Sequence, residues 1–320
     1  MTENSIKLGG GKKKWFALAG TLVILLVLLL SVNLSQTFDT FRSMKPLPLL
    51  LAIALAVFAS YIIGGYKWQR ILAGLGFAVP FREILFVRLG GEPVKFVFPA
   101  KAGELIKPLY LKSARDVPMT ESIGSLALDK IFNLAGLAVV FALAVTVTVG
   151  WVFGAAMLVL VALSVWLMHR FSKRLADWLE KKEGKIAQLP ARLLRTLHGL
   201  SPKEALIQVL LGGLFLFSEV ITGYLSLYAA GVPVSFFEAA TALPIVIVMV
   251  QIPITISGIG TREAGMMLFF APFAPASTLL AVGVAFTMVE LIAPVLFGLP
   301  WLPSLLRKIE WKKNPAEANS

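Results

Sequence analysis

The sequence has 320 residues but no cysteine and only two histidines, and these absences exclude several classes of function. Without a thiol, neither disulfides nor thiol chemistry can contribute. His169 and His198 stand in a basic stretch without an acidic cluster nearby, so they are poor candidates for metal ligands. The sequence also lacks the glycine-rich phosphate loop of ATPases and the glycine-flanked serine of many hydrolases. We therefore expect no metal, no organic cofactor and no ATP-driven step in this chain.

Charged residues are also scarce, at 15% of the chain, while 58% of the residues are hydrophobic and the mean hydropathy is +0.82. Such a composition is typical of an integral membrane protein. A run of about 20 apolar residues can cross the hydrocarbon core as a helix. Candidate runs fall at residues 15–32, 47–66, 122–148, 151–168, 205–230, 236–256 and 277–303. The sequence thus predicts an all-α membrane protein with seven or eight transmembrane helices, depending on how its broken segments are counted.

Basic residues are distributed unevenly along the chain. Of the 30 lysines and arginines, four lie in the amino-terminal tail, nine between Lys67 and Arg115, nine between Arg170 and Lys203, and four after Trp301. Cytoplasmic segments of membrane proteins carry such an excess of positive charge. This distribution predicts that both termini and the 169–204 loop are cytoplasmic. The basic excess then faces anionic lipid head groups, and no nucleic-acid-binding motif accompanies it.

The predicted organisation follows from these runs and charges. Residues 1–14 form a basic cytoplasmic tail, residues 15–304 a polytopic membrane domain, and residues 305–320 a second cytoplasmic tail. The first apolar run lacks a cleavage pattern after it, so we interpret it as a retained first helix and not as a signal peptide.

Two stretches, residues 99–107 and 253–263, place prolines, glycines and charges inside an otherwise apolar sequence. Broken backbone survives at membrane depth only where protein or a water-filled cavity pairs its free N–H and C=O groups. Ionisable side chains there are costly and usually functional. Because the free N–H groups at a helix start attract anions, we expect these breaks to hold a phosphate. The candidate residues are Lys101, Gly103, Glu104 and Lys107 in the first break, and Gly258, Gly260, Arg262 and Glu263 in the second.

A structural interpretation of the same charges is that they neutralise each other within each break. Arg262 would then pair with Glu263, and Lys107 with Glu104, which lowers the cost of burial without excluding a role in binding. The apolar pieces between residues 84 and 111 are too short to cross the bilayer, and their flanks are basic. We therefore expect a re-entrant hairpin from the cytoplasmic face, with its turn near Gly90 and Gly91 or near residues 99–103.

Further charges lie inside apolar runs at Asp129, Lys130, Glu219 and Glu290. Asp129 and Lys130 could form a simple adjacent pair, whereas Glu219 and Glu290 are in mid-helix and are expected to be neutral, paired or facing water. Glu104 precedes Asp129 by 25 residues, and Glu263 precedes Glu290 by 27. Each half thus offers a break followed by a long helix that carries an acid, which indicates an internal repeat of the kind found in transporters.

Four motifs occur in a characteristic order: Lys67-Trp68-x-x-Ile-Leu-x-x-Leu-Gly76, Pro99-x-x-x-Gly-Glu104-x-x-Lys107, Asp129-Lys130-Ile-Phe, and Pro253-x-x-x-x-Gly-x-Gly-x-Arg262-Glu263. Together they resemble the transmembrane region of the lysylphosphatidylglycerol synthase and flippase family, including its YbhN-like stand-alone members. The resemblance covers about residues 10–310. It implies a multi-pass protein of a bacterial or archaeal cytoplasmic membrane that moves lipids between leaflets, with the two breaks along the lipid path. Because no soluble aminoacyl-transferase domain follows, we do not expect a synthase or another enzyme.

Three functions agree with this sequence. The first is a lipid transporter or flippase that passes an anionic or amphoteric head group through a polar interior and can act beside a separate lipid-modifying enzyme. The second is a partner or enzyme of lipid-linked glycan assembly that binds a polyprenyl phosphate without moving it. The third is an ion-coupled transporter of small solutes, which would explain the buried acids.

Overall fold

A computed structural model describes residues 11–97, 103–181, 191, 194–195, 197–252 and 254–310. Within these ranges the chain forms helices and no strands, which confirms the predicted all-α class. The α-helices are α1 (Gly11–Leu30), α2 (Leu34–Ser43), α3 (Pro46–Phe58), α4 (Gly64–Gly74), α5 (Phe81–Val97), α6 (Ile106–Arg115), α7 (Met119–Thr148), α8 (Trp151–Glu180), α9 (Pro202–Ala229), α10 (Phe236–Gln251), α11 (Thr261–Phe269), α12 (Ala276–Thr287), α13 (Ala293–Gly298) and α14 (Leu302–Glu310).

Five stretches of these helices are long and apolar enough to cross a membrane. They are Pro46–Gly74, Met119–Thr148, Trp151–Met168, Pro202–Ala229 and Ala276–Ile309. A sixth is possible if α1 and α2, which bend by 93° at residues 31–33, count as one span. The described residues therefore give five or six spans where the sequence predicted seven or eight. Two predicted runs account for the difference: run 236–256 forms α10, which has only 16 residues, and run 15–32 counts as a span only together with α2.

The amino-terminal region also differs from the prediction. The first helix ends at Leu30, and the residues expected to form a loop after it fold instead as α2. Asn33 begins this helix because its side-chain oxygen accepts a hydrogen bond from the Gln36 amide. At the other side of the bundle, α8 packs along α7 and leaves nearly all its apolar side chains exposed, as expected for a helix that faces lipid.

Two helical hairpins sit among the long helices. The first joins α5 to α6, and the second joins α10 to α11. Gly90 and Gly91 lie within α5, so the turn predicted near them is wrong; the other predicted position, residues 99–103, lies mostly outside the described residues. The Arg115 guanidinium donates to the Glu83 carboxylate, which joins the two open ends of this hairpin and raises the pKa of Arg115.

The central contact of the bundle is between α7 and α9. A Cβ atom on Gly136 would lie 2.0 Å from the backbone nitrogen of Gly213, and one on Gly212 would lie 2.4 Å from the carbonyl oxygen of Phe132. Helix backbones approach this closely only where side chains are absent. The glycines of α7 and α9 therefore fix the distance between the helices that carry Asp129 and Glu219.

Two spans contain a short π-helical segment. The first, Ala59–Ile63, lies between α3 and α4, and the second, Met288–Ile292, lies between α12 and α13. The second segment departs from α-helical hydrogen bonding because Pro294 has no N–H to donate to the carbonyl of Glu290. The Tyr61 hydroxyl of the first segment donates to the carbonyl of Pro294, two residues beyond the second segment, at 2.5 Å. Such π-bulges often mark functional sites.

Candidate functional site

The two π-helical segments border a polar cavity in the interior of the bundle, which encloses about 170 Å³. Helices α4, α5, α6, α7, α9 and α11 and both π-helical spans contribute to its lining. The lining contains five cations and five acids. These are Lys67, Arg88, Lys107, Lys130 and Arg262, and Glu92, Glu104, Asp129, Glu219 and Glu290. So many ionisable groups inside an apolar bundle are costly unless they are paired or contact water.

Lys67 is the most deeply buried of these charges, with none of its surface exposed. Its ammonium lies 3.0 Å from a carboxylate oxygen of Asp129 and also donates to the Asn133 side chain. Lys67 is on α4, and both partners are on α7. The prediction that Asp129 pairs with its neighbour Lys130 is therefore wrong, because successive helical residues point in different directions.

The first hairpin contributes two further ion pairs. The Lys130 ammonium lies 3.2 Å from the Glu104 carboxylate, and the Lys107 ammonium lies 4.0 Å from that of Glu92. Both pairs join different helices or segments, and neither matches the predicted pairing of Lys107 with Glu104. The charges of the first break thus hold α5, α6 and α7 together around the cavity.

The second hairpin uses its charges in another way. The Arg262 guanidinium lies 3.7 Å from the Glu219 carboxylate of α9 and donates to the Thr287 hydroxyl at 3.2 Å. Glu263 accepts hydrogen bonds from the Thr287 hydroxyl at 2.6 Å and from the Gly260 amide at 2.7 Å. The predicted neutralisation of Arg262 by Glu263 is wrong, because the ion pair of Arg262 is made with Glu219. Glu263 does not line the cavity, and it serves instead to fix the start of α11.

Gly258 and Gly260 have backbone roles in the same break. Their φ angles are +82° and +88°, a region that costs side-chain-bearing residues energy but not glycine. They let the chain turn sharply into α11 and present the Gly260 amide to Glu263. Neither glycine lines the cavity, and neither does Gly103 of the first break. Lys101 lies outside the described residues.

Arg88 and Glu290 differ from the other eight charges, because neither has an oppositely charged group within 4 Å in the part of the chain that the structure describes. Arg88 donates from Nε and Nη2 to the carbonyl of Ser60 at 2.9 and 2.5 Å. That carbonyl is free because the Gly64 amide bonds to Ala59 in the π-helical segment. The carboxylate of Glu290 accepts a hydrogen bond from the Thr222 hydroxyl.

The cavity thus includes seven of the residues predicted from sequence: Glu104, Lys107, Asp129, Lys130, Glu219, Arg262 and Glu290. The prediction missed Arg88, Glu92 and Asn133 as site residues, and it named Lys67 only within a family motif, although its side chain is completely buried at the cavity. A signal for Arg88 and Glu92 was present. They are spaced by one helical turn and therefore share a face of α5, in a stretch that also contains two glycines and a proline.

A second, apolar cavity of about 590 Å³ lies between α7, α9 and the start of α10. Its lining includes Leu143, Leu214 and Phe237, and it contains no charged side chain. Two glycines of the contact between α7 and α9, Gly136 and Gly213, line this apolar cavity and do not line the charged one.

These features define a multi-pass, all-helical membrane protein with a charged internal cavity and two helical hairpins. The chain belongs to the family described as the lysylphosphatidylglycerol synthase TM region, which matches residues 15–298. It is 21% identical over 318 residues to the UPF0104 membrane protein MJ1595 of Methanocaldococcus jannaschii, an alignment that covers 91% of this chain and 94% of that protein.

The chain is also 26% identical over 133 residues to the glycosyltransferase AglD of Haloferax volcanii. This match covers 41% of the chain but only 21% of AglD. The chain therefore spans about a fifth of that relative.

Proposed function

We propose that this protein moves a membrane lipid with a phosphate-containing head group between the two leaflets. The observation that carries the proposal is the polar cavity, in which ten ionisable side chains line a space inside an apolar helix bundle. A membrane protein retains such costly charges where they face a polar substrate or its path. The family membership supports the same substrate class.

Arg88 is the residue that we assign to the head group. It is the cavity cation without a carboxylate partner within 4 Å among the described residues, and its bond to Ser60 fixes two of its three nitrogens. Guanidinium groups bind phosphate with a planar set of donors, and charge-assisted hydrogen bonds of this kind are strong. A phosphate at Arg88 would therefore not have to displace an existing ion pair.

The size of the cavity decides how much of the lipid enters. A volume of about 170 Å³ accommodates a phosphate group with a few water molecules, since one water occupies about 30 Å³ in the liquid. It does not accommodate acyl chains. The lipid tails therefore stay in the bilayer while the head group crosses through the protein.

The remaining parts of the proposal come from the charge distribution and the composition. The protein lies in the cytoplasmic membrane with both termini in the cytoplasm, because the basic residues cluster in the termini and the 169–204 loop. It changes the position of the lipid and not its chemistry, so any modification belongs to a separate enzyme.

The test is head-group movement in proteoliposomes made with fluorescently labelled phosphatidylglycerol. Access of a membrane-impermeant quencher reports how many labels have crossed. We expect Arg88→Gln to slow flipping at least tenfold, because a charge-assisted hydrogen bond contributes about 1.5–3 kcal/mol, and Arg88→Lys to retain part of the rate. Arg82→Gln is the matched control, since Arg82 is an exposed arginine of the same helix. Wild-type protein that leaves the labels in their original leaflet would contradict the proposal.

A second candidate function is favoured by the similarity to AglD, whose name identifies it as a glycosyltransferase. In this alternative the cavity holds the phosphate of a polyprenyl lipid for an enzyme of glycan assembly, without moving it. The two functions separate in the same vesicles. A holding protein would retain a polyprenyl phosphate through mild detergent extraction, as detected by native mass spectrometry, but would not change the leaflet of any lipid.

A further inference from the structure

We infer that Glu290 binds a proton when the head group binds, so that lipid movement is coupled to proton movement. This inference rests on the proposed function and names the ion that accompanies the lipid. Its structural basis is the pair of cavity charges that have no opposite partner within 4 Å in the described ranges, Arg88 and Glu290.

The first step of the argument is the charge balance of the cavity. Eight of its ten charges form four ion pairs: Lys67 with Asp129, Lys107 with Glu92, Lys130 with Glu104, and Arg262 with Glu219. Arg88 and an ionised Glu290 complete the balance, so the lining formed by the described residues carries no net charge. A singly charged phosphate at Arg88 adds one negative charge. Since an uncompensated charge in a buried site costs several kcal/mol, a proton on Glu290 restores neutrality at the lowest cost.

The second step is the surroundings of Glu290. The π-helical segment that carries it packs against α3, α9, α12 and α13. Of these, α3, α12 and α13 contain no charged residue, so the titratable group that faces Glu290 from its packed neighbours is Glu219 of α9. Arg262 of α11 also lines the cavity, and its ion pair is with Glu219. The like charge of Glu219 opposes a second ionised carboxylate nearby.

The third step is access. Glu290 is half-buried and lines the cavity, so water in the cavity can bring a proton to it. The Thr222 hydroxyl shares its single hydrogen between the Glu219 carbonyl, at 2.9 Å, and this carboxylate, and in the second contact it stabilises the ionised form when no head group is bound. The Glu290 carboxylate is therefore stabilised in both states: by the Thr222 hydroxyl when it is ionised, and by a bound proton when phosphate occupies Arg88. In a full cycle one proton enters with each phosphate and leaves when the head group leaves.

The experiment uses the proteoliposomes with labelled phosphatidylglycerol and imposes a pH difference across the membrane. We expect the wild-type protein to drive labels away from the acidic side, with rates that differ at least threefold between the two directions of the gradient. Glu290→Gln should flip labels at one rate in both directions, because glutamine cannot release a proton. Asp39→Asn should behave like wild type, since Asp39 is an exposed acid of α2 outside the cavity.

A second variant guards against loss of folding in Glu290→Gln. Thr222→Val removes the hydroxyl that stabilises ionised Glu290 and should move the pH midpoint of flipping upward by about one unit, since a hydrogen bond to a charged group contributes about 1.5–3 kcal/mol. Flipping that is fast but indifferent to the gradient in wild type would overturn the inference and leave the proposed function standing. A pH midpoint that Thr222→Val leaves in place would also overturn it. Absence of flipping at every pH would overturn both.

Discussion

The two hairpins have the same design in sequence but use their charges differently. In the first, α5 and α6 have 17 and 10 residues, and in the second, α10 and α11 have 16 and 9. Each has a glycine-containing break, a glutamate near the start of its short helix, and a long apolar span after it. Yet Glu104 lines the cavity and pairs with Lys130, whereas Glu263 lies outside the cavity and holds the backbone of its own break.

This difference shows that a glutamate in a membrane break is not by itself evidence of a binding site. Four unpaired amides at the start of any helix need acceptors, and at membrane depth water does not supply them everywhere. Glu263 accepts a hydrogen bond from the Gly260 amide and another from the Thr287 hydroxyl. In the first hairpin, Glu104 lies beside a lysine whose side chain is 44% exposed, so that pair remains open to water and to a ligand.

The largest effect that separates the two hairpins should come from removing the two glutamates in turn. Glu263→Ala leaves the buried Gly260 amide and Thr287 hydroxyl without their acceptor and should destabilise the protein by about 3 kcal/mol or more. Glu104→Ala should cost less than Glu263→Ala, because the lysine that it leaves unpaired is 44% exposed and remains hydrated. Thermal unfolding in detergent, followed by the intrinsic tryptophan fluorescence, measures both. Equal losses of stability would remove the distinction between the hairpins.

A smaller effect is expected where the second hairpin packs against α12. A Cβ atom on Gly283 would lie 2.7 Å from the Cα of Glu263, so the two helices cannot accept a side chain there without moving apart. Gly283→Ala should lower stability by about 1–3 kcal/mol, the usual cost of overpacking. Gly199→Ala is the control, since no heavy atom lies within 4 Å of its added Cβ. If Gly283→Ala unfolds at the temperature of the control, the packing of this hairpin is looser than the structure indicates.

Much of the architecture could be predicted from the sequence, because apolar runs and clustered basic residues respond directly to the bilayer. The family resemblance and the all-α class are confirmed, and five of the seven predicted runs lie in long apolar spans. The charged partners could not be predicted. Arg88 bonds to Ser60 only because a π-helical segment frees that carbonyl, and the hydroxyl of Tyr61 in that segment reaches Pro294, which lies 233 positions away in the sequence. Nothing local in the sequence indicates such a contact.

The partners of the acids show the same limit. The spacing of Glu104 to Asp129 and of Glu263 to Glu290 suggested equivalent residues in two repeats. In the structure Asp129 forms an ion pair with a lysine, whereas Glu290 accepts a hydrogen bond from a hydroxyl group. Two acids with a similar spacing from a break can therefore have different chemistry, because the partner of each acid comes from another helix.

The smallest expected effect on the protein, and the sharpest test of the comparison, is labelling at the open ends of the two hairpins. In the proposed topology the start of α5 is cytoplasmic, and the span α9 then brings the start of α10 to the outside. The hairpins would thus enter the membrane from opposite faces, as inverted repeats do.

Arg82 and Pro233 are exposed at these two ends, and neither lines the cavity, so cysteine at either position should leave flipping unchanged. In intact cells a membrane-impermeant thiol reagent should label Pro233→Cys and reach Arg82→Cys only after permeabilisation. The chain has no native cysteine, so the unmodified protein gives the background directly. Labelling of both positions from outside would place the two hairpins on the same face, and the two breaks could then not approach the cavity from opposite leaflets.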